Sequence, residues 1–318
     1  MIEKKAVPRW KLWAQLIRVP TSMTLVADVL AAVAITQCEF PARSAAVLLP
    51  ISLALYWSGM ILNDWFDVEK DRQNRSQRPL ASGAISIRQA GIAGWGLMLS
   101  ALITSMLTVL WIKPEQWGSV VPWCLGVIVA VVLYDGPLKQ TPLAPWLMGL
   151  CRGFHWLFAV HFVIAVGGLS SPYAVPMSYA IATTMTVYIA GVTWFARREA
   201  DSKPSLMLLW LGACLMSVAL VAQALLPKGL AYWFPELPEQ ANYSLLVAMC
   251  GVLIFRRLWI AIRQPSPLSM QLAVKQSLLS LILLDAFVAY WWRGPYWGAG
   301  ISLLILPALW LGIRFRTT

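Results

Sequence analysis

The sequence predicts an all-α integral membrane protein with nine or ten transmembrane helices. Three observations carry that reading. Of 318 residues, 59% are hydrophobic and only 12% charged, with a mean hydropathy of +0.67, which is far too apolar for a soluble domain. The apolar residues gather into unbroken runs of about 20, the length that crosses a bilayer as a helix. Lys and Arg then fall almost entirely on one side of those runs, as topology requires.

Taken in order, the runs lie at roughly 10–36, 43–65, 88–111, 117–134, 145–167, 174–196, 205–226, 242–262, 272–292 and 296–314, within a single domain over 1–318. The first follows a basic N-terminus, Met1 to Lys11. Its length and the lack of a small-residue cleavage pattern argue against a cleaved signal. The second ends in a cluster of acids, and the longest polar loop, 66–88, leads to the third. The fourth opens into a loop holding Asp135 and Lys139, and the sixth into a loop holding Arg197, Arg198, Glu199, Asp201 and Lys203. After the seventh, the Pro-rich stretch 227–241 reads as a solvated connection. Only Arg293-Gly294-Pro295 separates the last two runs, hence nine or ten.

With the N-terminus in the cytoplasm, only Arg43, Lys113, Lys228 and Arg293 face outward, and Arg152 lies inside a span. All other Lys and Arg residues are cytoplasmic. The net charge of +11 is therefore topological, and no nucleic-acid partner is needed to explain it. The expected location is the cell inner (plasma) membrane, among membrane lipids. Eighteen Trp residues suit interfacial belts. The five Cys are scattered with no C-x-x-C pair, and the two His form no H-E-x-x-H. A disulfide framework and a zinc site are thus not indicated.

Chemistry concentrates at Asn63-Asp64-Trp65-Phe66-Asp67-Val68-Glu69-Lys70-Asp71. On a continuing helix, Asp64, Asp67 and Asp71 fall within roughly 60° of one another at about 100° per residue, with Glu69 opposite. Three carboxylates on one face beside a membrane need a counter-charge. A hard divalent cation with oxygen ligands supplies it; a solvated helix end is the plain alternative. Arg152 is the one intramembrane base, a functional candidate or a packing partner for Asp28 or Asp285. His155 lies one turn further along the same face. His161 reads as structural.

Thr193-Trp194-Phe195-Ala196-Arg197-Arg198-Glu199-Ala200-Asp201 echoes the acidic stretch. Glu199 aligns with Glu69 and Asp201 with Asp71. Trp194 and Arg197 stand where the first copy has Asp64 and Asp67.

Asn63-Asp64-x-x-Asp67-x-x-x-Asp71, followed by Arg78-Pro79-Leu80-x-Ser82-Gly83, resembles the UbiA superfamily of intramembrane prenyltransferases. Arg18-Val19-Pro20-Thr21 looks like that family's first-helix motif. Tyr134 with Lys139 resembles its Tyr–Lys motif, with one extra residue between them. The resemblance implies a helical bundle around a central cavity, capped by cytoplasmic loops that hold a Mg²⁺–diphosphate site. It implies Asp64, Asp67 and Asp71 as the catalytic, metal-binding acids, with Asp201 as a further metal ligand. Asn63, Arg78, Lys139, Arg152, Arg197 and Arg198 become candidate contacts to a prenyl diphosphate or its acceptor, and Arg72 joins them at the diphosphate. Trp65, Trp156 and Tyr134 are candidates to face the allylic cation.

The second acidic motif of the family is reduced here to Asp201 and Glu199. Leu143 to Gly153 and Trp194 to Glu199 look closest to the EboC-like branch. That branch implies partner proteins of a biosynthesis or export cluster for secondary metabolites, without a defined reaction. Two functions are therefore expected. One is Mg²⁺-dependent transfer of a prenyl group from a prenyl diphosphate to a lipophilic acceptor. The other is a non-catalytic component that binds or exports a metabolite precursor. A proton-coupled transporter built on Asp28, Arg152 and Asp285 is a more distant third.

Overall fold

The computed structural model describes residues 8–168, 171–197, 205–235 and 242–315. Every regular element among them is helical: α1 (Arg9–Leu16), α2 (Val19–Thr36), α3 (Pro41–Phe66), α4 (Val68–Asn74), α5 (Ile87–Ile112), α6 (Trp117–Asp135), α7 (Ala144–Gly167), α8 (Ala174–Ala196), α9 (Leu206–Trp233), α10 (Tyr243–Arg263), α11 (Pro267–Arg293), α12 (Pro295–Ser302) and α13 (Ile305–Arg314). Ten stretches are long and apolar enough to cross a membrane, with α12 and α13 together forming the tenth. The protein is a multi-pass helical membrane bundle.

Three expected runs differ in detail, each at a proline. The first is not one helix. Arg18 adopts a left-handed conformation, φ 51° and ψ 55°, between α1 and α2. Pro20 has no N–H to return to the Leu16 carbonyl, so the ladder breaks there. The last run is two helices with a tight joint at Leu303–Leu304, because Pro307 cannot bond the Leu303 carbonyl. The chain tightens there into three-residue bonds, Leu304 N to Ile301 O and Leu306 N to Leu303 O, each 3.0 Å. By contrast α9 runs through Pro227 to Trp233, well past the expected end near 226; membrane helices tolerate such prolines.

Other helix ends follow ordinary capping. The Ser86 hydroxyl accepts from Gln89 N at 3.1 Å and starts α5. Ser266 and Ser269 form a reciprocal capping box before α11, with Pro267 at its first position. Both devices satisfy N–H groups that a helix leaves without partners.

Packing centres on α7, which touches α2, α3, α6 and α8. α2 and α7 are the most buried spans, whereas α5 and α6 turn most of their surface outward. Ile92, Leu99 and Leu107 on α5, and Met249 and Val252 on α10, form part of the apolar outer wall. Lipid offers side chains as apolar a setting as the bundle does, so small residues that admit close contact become decisive. At the α8–α9 crossing a Cβ on Gly191 would meet Gly212 O at 2.8 Å, and one on Gly212 would meet Gly191 O at 2.6 Å.

A small second core holds the first polar loop in place. Leu80 and Ile85 from the loop pack with Leu16, Ile61, Val68 and Ala90. Ile85 N also bonds Pro79 O at 3.1 Å, and Ser82 N bonds Arg78 O at 2.9 Å. The loop is thereby folded back over the end of α3.

Candidate functional site

α3 does not continue straight through the acids. It ends at Phe66, Asp67 forms the joint, and α4 restarts at Val68. The turn bonds persist across the joint, with Asp67 N to Asn63 O at 3.2 Å and Asp71 N to Asp67 O at 2.8 Å. Asp64 and Asp71 therefore remain on a common side, and both are buried.

The loop core aims Arg78 between them. Arg78 Nη1 donates to Asp64 Oδ1 at 3.0 Å and to Asp71 Oδ2 at 2.7 Å. Arg18 Nη2 approaches Asp64 Oδ1 at 3.6 Å, brought there by the left-handed joint. Asp67 is taken by another element: Lys139 Nζ donates to its Oδ2 at 2.7 Å. Asn63 Nδ2 donates to Asp135 Oδ1 at 2.6 Å. Lys139 Nζ also lies 4.0 Å from that Asp135 oxygen and 5.8 Å from the centre of the Tyr134 ring. Four carboxylates thus meet three basic side chains from four parts of the chain.

Arg72 was expected at this site, but the structure turns it to Glu69 at 2.6 Å, an exposed pair one helical turn apart. Surface exposure leaves such a pair little energetic weight. Arg197 does not meet an acid either. Its Nη2 donates to Gln140 O at 2.8 Å and Thr141 O at 2.9 Å, and its guanidinium lies 5.0 Å from the Trp194 ring centre. It ties the end of α8 to the loop that carries Lys139. Arg198, Glu199 and Asp201 lie outside the described residues.

Below this polar rim is a cavity of about 350 Å³ between α2, α3, α6, α7, α8 and α11. Arg18, Asn63, Tyr134 and Asp135 stand at its mouth, and Thr24, Arg152 and His155 line it further in. The walls between are mainly aliphatic, among them Leu55, Val131, Ile189 and Leu278. Of the aromatic residues expected to face a cation, Tyr134 lines this space. Trp156 is fully buried elsewhere, and Trp65 packs on Phe66, with ring centres 5.0 Å apart. Neither lines the cavity. Tyr56 does, with its hydroxyl 2.5 Å from Thr21 Oγ1.

Arg152 pairs with both intramembrane acids rather than one. Its Nη2 is 2.7 Å from Asp28 Oδ1 and 3.5 Å from Asp285 Oδ2. Its Nη1 donates to Thr24 Oγ1 and its Nη2 to Thr24 O, each at 3.1 Å. His155 Nδ1 lies 3.1 Å from Asp28 Oδ2. His161 stacks on Trp123 at 6.0 Å and takes no part.

Asp64, Asp67 and Asp71 supply the carboxylate oxygens that magnesium prefers. Among the described residues, however, no group of three such ligands stands ready-made for a metal. The reason is visible in the pairing: Arg78 occupies the space between two of the acids and Lys139 holds the third. The residue types fit a metal, and each of the three acids is paired with a basic side chain.

Several site residues carried little signal in the sequence. Arg18 read as a topological charge and a motif position, and Asp135 as a loop acid. Thr21 read only as a motif position, and Tyr56 carried no mark of its own. A proline two residues after a basic residue, between apolar runs, is the signal that locates Arg18.

Comparison with known proteins bears on the whole arrangement. The model of the UbiA prenyltransferase family matches residues 23–278. Over 83 residues, or 26% of each chain, the sequence is 49% identical to digeranylgeranylglyceryl phosphate synthase of Metallosphaera sedula. Matches to relatives of that name cover from 26% to 47% of their own length, so the chain matches half or less of each. A structure of digeranylgeranylglyceryl phosphate synthase in membranes superposes with a TM-score of 0.60 at 19% identity, over 92% of this chain and 99% of that one. A UbiA homologue from Archaeoglobus fulgidus bound to DMAPP and Mg²⁺ gives 0.52 at 15% identity, over 91% and 98%. At these identities the superpositions establish the fold.

Proposed function

The chain belongs to the UbiA prenyltransferase family, and on that footing we propose that it transfers a prenyl group from a prenyl diphosphate to a lipophilic acceptor, with Mg²⁺. The observation that carries this reading is that Asp64–Arg78–Asp71 and Asp67–Lys139 adjoin Arg18, Asn63 and Asp135, which line the polar end of an apolar cavity. Acids for a metal and bases for a diphosphate share one rim, and a dry space for a hydrocarbon lies below it.

Asp64, Asp67 and Asp71 would hold the metal, which when bound neutralises charge on the departing diphosphate. Arg78 and Lys139 exchange their carboxylate partners for phosphate oxygens, and Arg18 and Asn63 stand beside them. Their donors stabilise the negative charge that grows as the allylic C–O bond breaks with its electron pair on the diphosphate. The acceptor bonds to the freed carbon and loses a proton. The aliphatic walls exclude water that would otherwise capture the cation. Arg198 and Asp201 are proposed as further phosphate and metal contacts beyond Arg197. The distribution of Lys and Arg supports a cytoplasmic N-terminus and rim, with the inner membrane as the proposed location. The name of the relatives, which specifies a lipid phosphate, supports a lipophilic product.

The test is binding of a labelled prenyl diphosphate to purified protein with and without Mg²⁺, followed by incubation with lipid extract. Magnesium-dependent binding and a prenylated lipid are expected. Unchanged binding in Asp64→Ala and Asp67→Ala would sink the metal assignment.

One observation favours a second reading. Arg197, which stands where the first copy has Asp67, serves a loop instead of an acid or a metal position, so this one position is reduced to a structural contact. An EboC-like component that binds or exports a metabolite precursor fits that reduction. Export of a precursor without covalent change, unaffected by Asp64→Ala, would establish it.

A further inference from the structure

The deep end of the cavity holds polar atoms that the bundle leaves without partners. Ser52 Oγ, Arg152 Nε and His155 Nε2 are all buried, and none has a hydrogen bond. All three residues line the same space. Their level can be placed from neighbouring contacts. α2 and α3 run antiparallel, with Thr21 opposite Tyr56 and Ser22 opposite Trp57. Ser52 is one turn deeper than Tyr56 on the same face, and so level with the turn from Leu25 to Asp28. Arg152 and His155 reach that turn through Asp28.

Buried donors and acceptors without partners cost stability, and a site that retains them together suits a ligand that completes them. The chemistry of that ligand follows from the three atoms. Arg152 Nε–H is a donor only. With Asp28 as a carboxylate on Nδ1, a neutral His155 carries its hydrogen there, which leaves Nε2 as an acceptor. Ser52 can do either. A hydroxyl accepts from Arg152 and donates to His155, whereas a carbonyl leaves Nε2 bare. An anionic group is disfavoured, because two acids, Asp28 and Asp285, already face the single guanidinium of Arg152 in a medium that tolerates little unbalanced charge. We propose that Ser52, Arg152 and His155 form a binding site for the uncharged hydroxyl of a lipophilic molecule. Assigning that molecule as the prenyl acceptor rests on the transfer reading above; the binding does not.

The chain has two His, so His161→Gln leaves His155 as the only one. The ¹⁵N-histidine spectrum of that variant in lipid nanodiscs, titrated with geraniol and separately with 2,6-dimethyloctane, reads the site directly. A neutral Nδ1–H imidazole is expected without ligand. Geraniol should shift the Nε2 resonance saturably and the hydrocarbon should not. Adding Ser52→Ala should raise the half-saturating geraniol concentration roughly tenfold while the fold is kept. An imidazolium before titration, no shift with geraniol, an equal shift with the hydrocarbon, or unchanged affinity in Ser52→Ala would each overturn the site. A saturable shift in a protein that transfers no prenyl group keeps the site and removes the transfer reading. Transfer without the shift removes the site alone.

Discussion

Lys139 Nζ and Asp67 Oδ2 lie 2.7 Å apart although 72 residues separate them in the chain. The pair joins the loop after α6 to the joint between α3 and α4. On the transfer reading proposed above, it is the pair that substrate binding would open. Both side chains keep about a fifth of their surface exposed, so either can exchange its partner without being stranded in the bundle.

Replacing Lys139 tests that exchange. Lys139→Met should weaken prenyl diphosphate binding roughly ten- to a hundredfold, the range of one charge-assisted contact. Its effect on thermal stability should be small, because the pair is partly solvated. Calorimetric titration and a melting curve on the same sample separate the two effects.

Metal removal should affect binding and leave the fold intact. Arg78 and Lys139 already face the acids. Chelating Mg²⁺ should therefore abolish prenyl diphosphate binding while shifting the melting temperature of the substrate-free protein by less than about 2 °C; a metal that held the acids together would stabilise by mass action. A large drop on chelation would show that the metal is structural.

The Arg152 cluster should behave in the opposite way. Arg152→Met strands Asp28 and Asp285 in the bundle, and breaking a buried pair from one side costs about 3–5 kcal/mol. Loss of the monodisperse peak in size-exclusion chromatography is expected. Adding Asp28→Asn should restore part of it, since one of the stranded charges is removed. Equal behaviour of the single and double variants would argue against this pairing.

Arg197→Gln removes two bonds from α8 to the loop carbonyls. The expected result is faster proteolysis within residues 136–143 and a several-fold loss of prenyl transfer, with Mg²⁺-dependent binding retained. Complete loss of binding would place Arg197 at the diphosphate itself.

Much of the fold was legible because the bilayer imposes it. Apolar runs such as Ala144–Gly167 need no partner to be recognised, since every backbone N–H in lipid must be met within its own helix. The acids at Asp64, Asp67 and Asp71 stood out because charge at a membrane boundary demands a counter-charge, whereas Arg78 was marked by the family resemblance of Arg78-Pro79-Leu80. Pro20, read only as part of a motif, and Pro307, which carried no reading, proved to matter more: each divides a run that composition alone joins.

Which charges meet was decided by tertiary structure. Arg72 and Arg78 are equally basic and close in sequence. Leu80 and Ile85 are held in the small core and bring Arg78 between Asp64 and Asp71, whereas Arg72 lies on the solvent side of α4 with Glu69. Arg152 could be read with one acid or the other, and the packing of α2, α7 and α11 supplies both. The sequence by itself determined the number and character of the helices, because solvation by lipid acts on each segment separately. The partners of each polar side chain depend on distances across the bundle, which only the packed helices define.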